Sequence, residues 1–324
     1  MKSTFTRRVF IALAGLAALS APAFAQGSYP DRPITLVVGW PAGGSADALA
    51  RMVAQEMAAT LGQSIVVDNK AGAGSNIGSE FVTRAKPDGY TIMLATSASH
   101  GFNSVLFSKL PYKPIEDFAP IGMINTSAGT LLVPIDSPFK SVQDIIKAAK
   151  AQPGKLNYAS AGQGSSQHLA GAMFNKVADI DVVHVPFKGA GAAMTDLMAG
   201  RVDYIITTGP LPFIRGGKVR PLAIAARERH PAMPDVPTFE QAGVKLYTDN
   251  WYGLVAPAGT PQPVLEKLNA ALNKALVKPE VQKQFIEQGA FPGKPASPDA
   301  FWAFVKKQMP EAGELVRISG AKVE

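Results

Sequence analysis

The sequence predicts an α/β protein of two domains with mostly parallel sheets. Short apolar, β-branched runs such as residues 34–38 alternate with helical segments along nearly the whole chain. Four of these runs end in glycine-bearing turns that open a helix, at residues 41–47, 72–78, 162–166 and 188–191. The length, 324 residues, is enough for two substantial cores even after a leader is removed.

The leader is read first. Lys2, Arg7 and Arg8 make a positive segment, residues 9–19 are apolar apart from Gly15, and Ala23-Phe24-Ala25 fits a cleavage site. Residues 1–25 are expected to be a removed export signal, with the Sec and Tat routes both open because Arg7-Arg8 also suits the twin-arginine pattern. The signal carries three of the 32 basic residues and none of the 25 acidic ones, so the mature chain has a net charge near +4. That mild excess suits an anionic ligand, and no clustered Lys/Arg block with interleaved aromatics supports nucleic-acid binding. No cysteine is present, so stability rests on core burial rather than disulfides.

In order, the first strand runs into Gly43 and Gly44. Ser45 is expected as N-cap and Asp47 in the first turn of a helix over 46–61 that stops at Gly62. Residues 65–69 are a second strand leading to the 72–78 turn, with a helix to about Arg84. A third strand covers 90–95. Strands at 117–124 and 130–133 flank an expected crossover between domains. Ser141 caps a helix to Lys150, and 156–160 is a strand entering the 162–166 turn, with a helix to about Lys176. Strands at 181–185, 202–207 and 219–225 follow, with a helix at 192–199 between the first two. Residues 227–237 are too proline-rich for a regular element. Residues 251–257 return to the first domain, and 263–277 and 298–316 are amphipathic packing helices.

A strand that delivers a glycine turn into a helix N-terminus leaves N–H groups pointing outward, an anion site in waiting. In open α/β sheets, ligands sit beyond the carboxyl ends of strands. Two turns from each domain would then present several helix N-termini to one small carboxylate, assisted by the hydroxyls of Ser75, Ser165, Ser166 and Thr207. Asp47 and Asp203 are candidate polar residues, Asp47 equally a helix-start carboxylate. Trp40 and Phe187 are candidate apolar walls, each equally a core residue.

Enzyme readings find less support. There is no G-x-S-x-G elbow, no P-loop and no dinucleotide fingerprint, since Gly72-Ala73-Gly74 is followed by Ile77. The four histidines (His100, His168, His184, His230) are dispersed and lack metal-ligand spacing. His168, close to Ser165 and Ser166, leaves a serine hydrolase as the rival reading; a sensory binding module is the other.

A series of segments carries a family resemblance. These are Tyr29-Pro30-Asp31-Arg32-Pro33-Ile34, Pro41-Ala42-Gly43-Gly44-Ser45-Ala46-Asp47 with Arg51, Gly72-Ala73-Gly74-Ser75-Asn76-Ile77-Gly78, Lys86-Pro87-Asp88-Gly89-Tyr90-Thr91, Asp117-Phe118-Ala119-Pro120, Val185-Pro186-Phe187-Lys188-Gly189, and Pro234-Asp235-Val236-Pro237-Thr238 with Glu240. In order and spacing the chain resembles the Bug family, periplasmic solute-binding receptors of tripartite tricarboxylate transporters.

The resemblance implies a type II periplasmic-binding-protein fold: two α/β domains joined by two crossing strands around a cleft. Its expected boundaries are 26–125 with 247–324 for the first domain and 126–246 for the second. It implies no catalysis and no cofactor, a small carboxylate ligand, a membrane permease as partner and a monomeric chain. By position it points to Gly43, Gly44, Asp47, Ser75, Asn76, Ile77, Gly162, Gly164, Ser165, Ser166, Lys188, Gly189 and Asp203. Trp40 stands where the family usually has phenylalanine, and Phe187 replaces the tyrosine of V-P-Y-K-G. Both changes favour an aromatic carboxylate, with a small aliphatic dicarboxylate as the alternative.

Overall fold

The computed structural model describes residues 29–248 and 250–319. The expected signal peptide lies outside these. Residues 32–324 form one compact unit, and the description concerns that unit.

A six-stranded sheet is ordered β11-β4-β10-β3-β1-β2. Its strands are β1 (Ile34–Val38), β2 (Ile65–Asn69), β3 (Thr91–Thr96), β4 (Phe118–Ser127), β10 (Asn250–Pro257) and the two-residue β11 (Phe291–Pro292). A three-stranded sheet is ordered β8-β5-β9, from β5 (Thr130–Pro134), β8 (Ile205–Thr207) and β9 (Val219–Ile224). Strands β6 (Asn157–Ser160) and β7 (Val183–Pro186) pair in parallel, and a Tyr158–Tyr204 bridge joins them to the β8 segment.

The helices of eight residues or more are α1 (Ser45–Leu61), α2 (Asn76–Thr83), α3 (Val142–Ala151), α4 (Ser166–Ala178), α5 (Ala190–Met198), α6 (Gln262–Leu276), α7 (Pro279–Glu287) and α8 (Pro298–Ser319). None of the described helices is long and apolar enough to cross a membrane.

The elements form for local reasons. Strand β1 is buried along nearly its whole length, as a β-branched run in a parallel sheet should be. Helix α1 ends where Gly62 turns left-handed (φ 71°) and returns its N–H to Ala58 O. Helix α3 opens with a reciprocal capping box between Ser141 and Asp144.

The sheets differ from the expectation of mostly parallel pairing. Only β1–β2, β1–β3 and β6–β7 are parallel; β10 runs against β3 and β4, and β5 runs against β8 and β9. The cause is the crossover: a strand that leaves one sheet to enter another must oppose the returning one. Strand β4 also continues through the expected 125/126 boundary to Ser127. Two core clusters sit on separate sheets. One gathers Val37, Met93, Trp251 and Phe301; the other gathers Leu131, Tyr158, Phe174 and Phe239.

Strand directions place the site. Ser127, at the end of β4, pairs with Asn250, and Thr96, at the end of β3, pairs with Tyr252 two residues on. Both strands therefore end at the same edge of the large sheet. Three residues after Ser127, Thr130 opens β5 opposite Thr207 and Ile224, the last residues of β8 and β9. The carboxyl ends of strands in both sheets thus border the same crossover. A second crossing segment is tied to the first, because Gly129 N–H donates to Thr248 Oγ1 (2.7 Å) and Thr248 N–H to Ala225 O (3.0 Å).

Candidate functional site

The turn after β1 is held by its own carboxylate. Asp47, 4 % exposed, accepts at Oδ2 from Gly43 N–H (3.0 Å) and Arg51 Nε (3.0 Å) and at Oδ1 from Asn69 Nδ2 (3.0 Å), with Arg51 Nη2 2.9 Å from Oδ1. Asn69 also donates to Trp40 O. These donors, the Arg51 bond first and the Gly43 amide next, hold the Asp47 carboxyl down at about 2. The negative charge that suits the N-terminus of α1 is therefore already built in. The cap itself is Gly44, not Ser45: Ser45 is the first helical residue.

Gly39 is not among the expected site residues, yet a Cβ there would collide with Ser75 Oγ. The end of β1 must lie against the second turn. In that turn Ala73, Gly74 and Ser75 are successively left-handed, with φ of 45°, 63° and 81°, which costs energy at the two non-glycine positions. Asn76 Oδ1 is occupied by Asn103 Nδ2 (2.7 Å) and Tyr112 OH (3.1 Å). Ile77 is half exposed. The hydroxyl of Ser75 and the indole N–H of Trp40 are buried without a hydrogen-bond partner, a state that native proteins rarely leave standing.

The turn after β6 is organised differently. Ser165 caps α4: its hydroxyl accepts from His168 N–H (3.3 Å) and donates to Gly162 O (2.7 Å). Gly164 N–H donates to His168 Nδ1 (3.1 Å), and Gly162 N–H to Ser160 Oγ (3.0 Å). The first helical bond is Leu169 N–H to Ser165 O, which leaves the amides of Ser166 and Gln167 ahead of the ladder. No acidic residue lies in this first turn. Gly189 caps α5 next door, again with no acid in the first turn, and Lys188 before it is exposed. The two turns are joined by Phe187 N–H to Ser160 O (2.9 Å) and Gly189 N–H to Ala161 O (3.2 Å).

Beneath them the rings of His168 and His184 stack 4.0 Å apart at 8°, and Tyr158 continues the stack. Burial, then the neighbouring His184, holds His168 down at about 4. The one hydroxyl against an imidazole here is Ser160, 2.6 Å from His184 Nε2, and it is fully buried. Ser165 instead serves the helix cap, which is not the arrangement a serine nucleophile requires.

Of the remaining expected residues, only Asp203 lies away from the turns. Asp203 exchanges hydrogen bonds with Asn157, Asn157 N–H to Asp203 Oδ2 (2.8 Å) and Asp203 N–H to Asn157 Oδ1 (3.2 Å). Asn157 begins β6, so this pair sits at the opposite end of the strand from the turns; burial raises the Asp203 carboxyl. Phe187, partly buried, packs against the core around Ala159, Leu197 and Ile205. Thr207 is buried, and its hydroxyl accepts from Gln167 Nε2 (3.3 Å). Opposite it in register, Thr130 has a buried hydroxyl with no partner; its place right after the crossover was the signal for it. No cluster able to hold a metal ion occurs among the described residues.

A cavity of about 640 Å³ lies beside these turns and takes only Ser166 from the expected set. It is lined by α4, α8, residues 97–102 and the crossing segment around Thr248.

Two α/β lobes on crossing strands, with turn-capped helix N-termini at the carboxyl edge of each sheet, are the architecture of a periplasmic solute-binding protein. Residues 49–320 match the TctC family, described as tripartite tricarboxylate transporter family receptor. BugT of Bordetella pertussis is 35 % identical over 320 residues, covering 98 % of this chain and 97 % of that protein. Among solved structures, an R. palustris protein with adipate is 32 % identical with a TM-score of 0.81, covering 91 % of this chain and all of that one. The Rhodopseudomonas palustris MatC with bound malate is 35 % identical with a TM-score of 0.77, covering 89 % of this chain and all of that one. The periplasmic binding protein BugD is also 35 % identical, with a TM-score of 0.77. This chain belongs to the TctC family of tripartite tricarboxylate transporter receptors.

Proposed function

We propose that the protein is exported to the periplasm, captures a small dicarboxylate between two lobes, residues 26–125 with 247–324 and 126–246, and passes it to a tripartite permease without altering it. One observation carries the choice of ligand end: the N-terminus of α4 offers the Ser166 and Gln167 amides with no acid in the first turn, whereas Asp47 occupies the N-terminus of α1. A first carboxylate binds the α4 end, with the Ser166 hydroxyl, and the α5 end at Gly189 and Lys188 beside it. The second carboxylate meets the Trp40 and Ser75 donors when the lobes close, the closed form being the one the permease recognises.

The dicarboxylate reading is supported by the adipate and malate of the two neighbours, while Phe187, partly buried, is committed in part to packing against the core. Trp40, half-buried at the end of β1, keeps an aromatic acid as the second reading. A thermal-shift screen of the mature chain against aliphatic di- and aromatic monocarboxylates separates the two. At a thousandfold excess over Kd a true ligand adds about 4 kcal/mol. A dicarboxylate hit recovered chemically unchanged supports the proposal. Stabilisation by benzoate-type acids alone contradicts the ligand class, and a chemically altered ligand contradicts the receptor role.

A further inference from the structure

We propose that the 640 Å³ cavity between α4 and α8 is a second ligand site, for an arylalkanoate: an aromatic ring carrying one carboxylate on a short chain. The inference does not rest on the dicarboxylate reading: the cavity shares only Ser166 with the turn site, and its apolar wall lies further along the same helix. Ser166 begins α4, while Met173 and Val177 lie ~10 and ~16 Å further along its axis at 1.5 Å per residue. These two side chains, with Leu169 on the same face, make one apolar wall.

Across from it stand Leu315 of α8 and the rings of Phe102 and Trp251. The volume falls in the range of organic-ligand pockets. Met173 against an incoming ring supplies a favourable sulfur–aromatic contact. Charge sets the orientation. Arg227 and Lys245 line the cavity and make no ion pair with the described residues; Arg227 lies over the Tyr247 ring at 4.6 Å. Glu311 and Glu314 of α8 line it as well, Glu314 being paired with Arg317. One carboxylate is therefore drawn to Arg227 and Lys245. A second carboxylate at the far end of the molecule would face apolar side chains or the two glutamates, which excludes the ligand proposed for the turns.

The test is calorimetric titration of 3-phenylpropionate into the mature chain, alone and with saturating adipate. Binding at one site that persists with adipate present is expected. Met173→Trp fills the cavity and should weaken 3-phenylpropionate about tenfold or more, and Lys245→Glu, on the exposed rim, should weaken it severalfold. Ala170→Leu, a smaller filling change on the same wall, replaces Met173→Trp if that variant does not fold. Competition by adipate, unchanged affinity in the filling variant, or no binding of 3-phenylpropionate overturns the proposal. Failure of adipate to bind would count against the turn site alone, since the cavity variants are read with 3-phenylpropionate by itself.

Discussion

The turn before α1 and the turn before α4 share one grammar and end in opposite states. Each follows a buried strand, each bends through glycine, and each exposes the first amides of a helix longer than twelve residues. The α1 turn spends its field on Asp47, which the chain itself supplies and which Gly43, Arg51 and Asn69 hold in place. The α4 turn has no such acid; its side chains, Ser165 and His168, brace the loop and leave the Ser166 and Gln167 amides to an outside anion. A glycine turn at a helix start is thus an offer of a site, and the first-turn residues decide whether the protein has already taken it.

The comparison can be broken most sharply by making the two turns alike. Ser166→Asp puts an acid into the first turn of α4 as Asp47 does in α1, and should cost carboxylate binding about 2 kcal/mol, ~30-fold, measured by calorimetry. Asp47→Asn is the reverse change. It should lower the melting temperature at pH 7, because Arg51 loses its partner and Gly43 its acceptor, while moving ligand affinity less than Ser166→Asp does. The wild-type contribution of Asp47 is present above pH 4 and is lost as pH falls through about 2. Stability measured from pH 5 to 2 should therefore fall less in the Asn variant.

The braces beneath the α4 turn titrate higher. His168 is held at about 4 in the folded protein, below its unfolded value, so the stability it contributes is complete above pH 6.5 and is lost as pH drops toward 4. His168→Gln should flatten that part of the melting-temperature profile. The smallest effect is expected from Ser165→Ala, which removes the α4 cap at a cost of about 1 kcal/mol in stability, with a lesser change in binding because the hydroxyl is committed to Gly162 and His168.

What was legible in the sequence was local. Strand, glycine turn and helix start sit within a dozen residues of one another, so all four turns and the capping role of Ser141 could be read directly. Asp203 could not be placed, because only strand register reveals that it meets Asn157 at the far end of β6. How Phe187 divides between wall and packing could not be read, because Ala159, Leu197 and Ile205, on which it rests, come from distant segments. The antiparallel course of β10 and the helix α7 followed from crossing and packing between distant segments. The cavity, assembled from α4, the crossing segment and α8, had no local signature at all.

The most direct measurement is an amide NMR titration of the mature chain with the dicarboxylate that stabilises it. The account expects the largest shifts at the N–H groups of Ser166 and Gln167, with those of Ser45 and Ala46 moving less. Large shifts at Ser45 and Ala46 with Ser166 and Gln167 unmoved would contradict it.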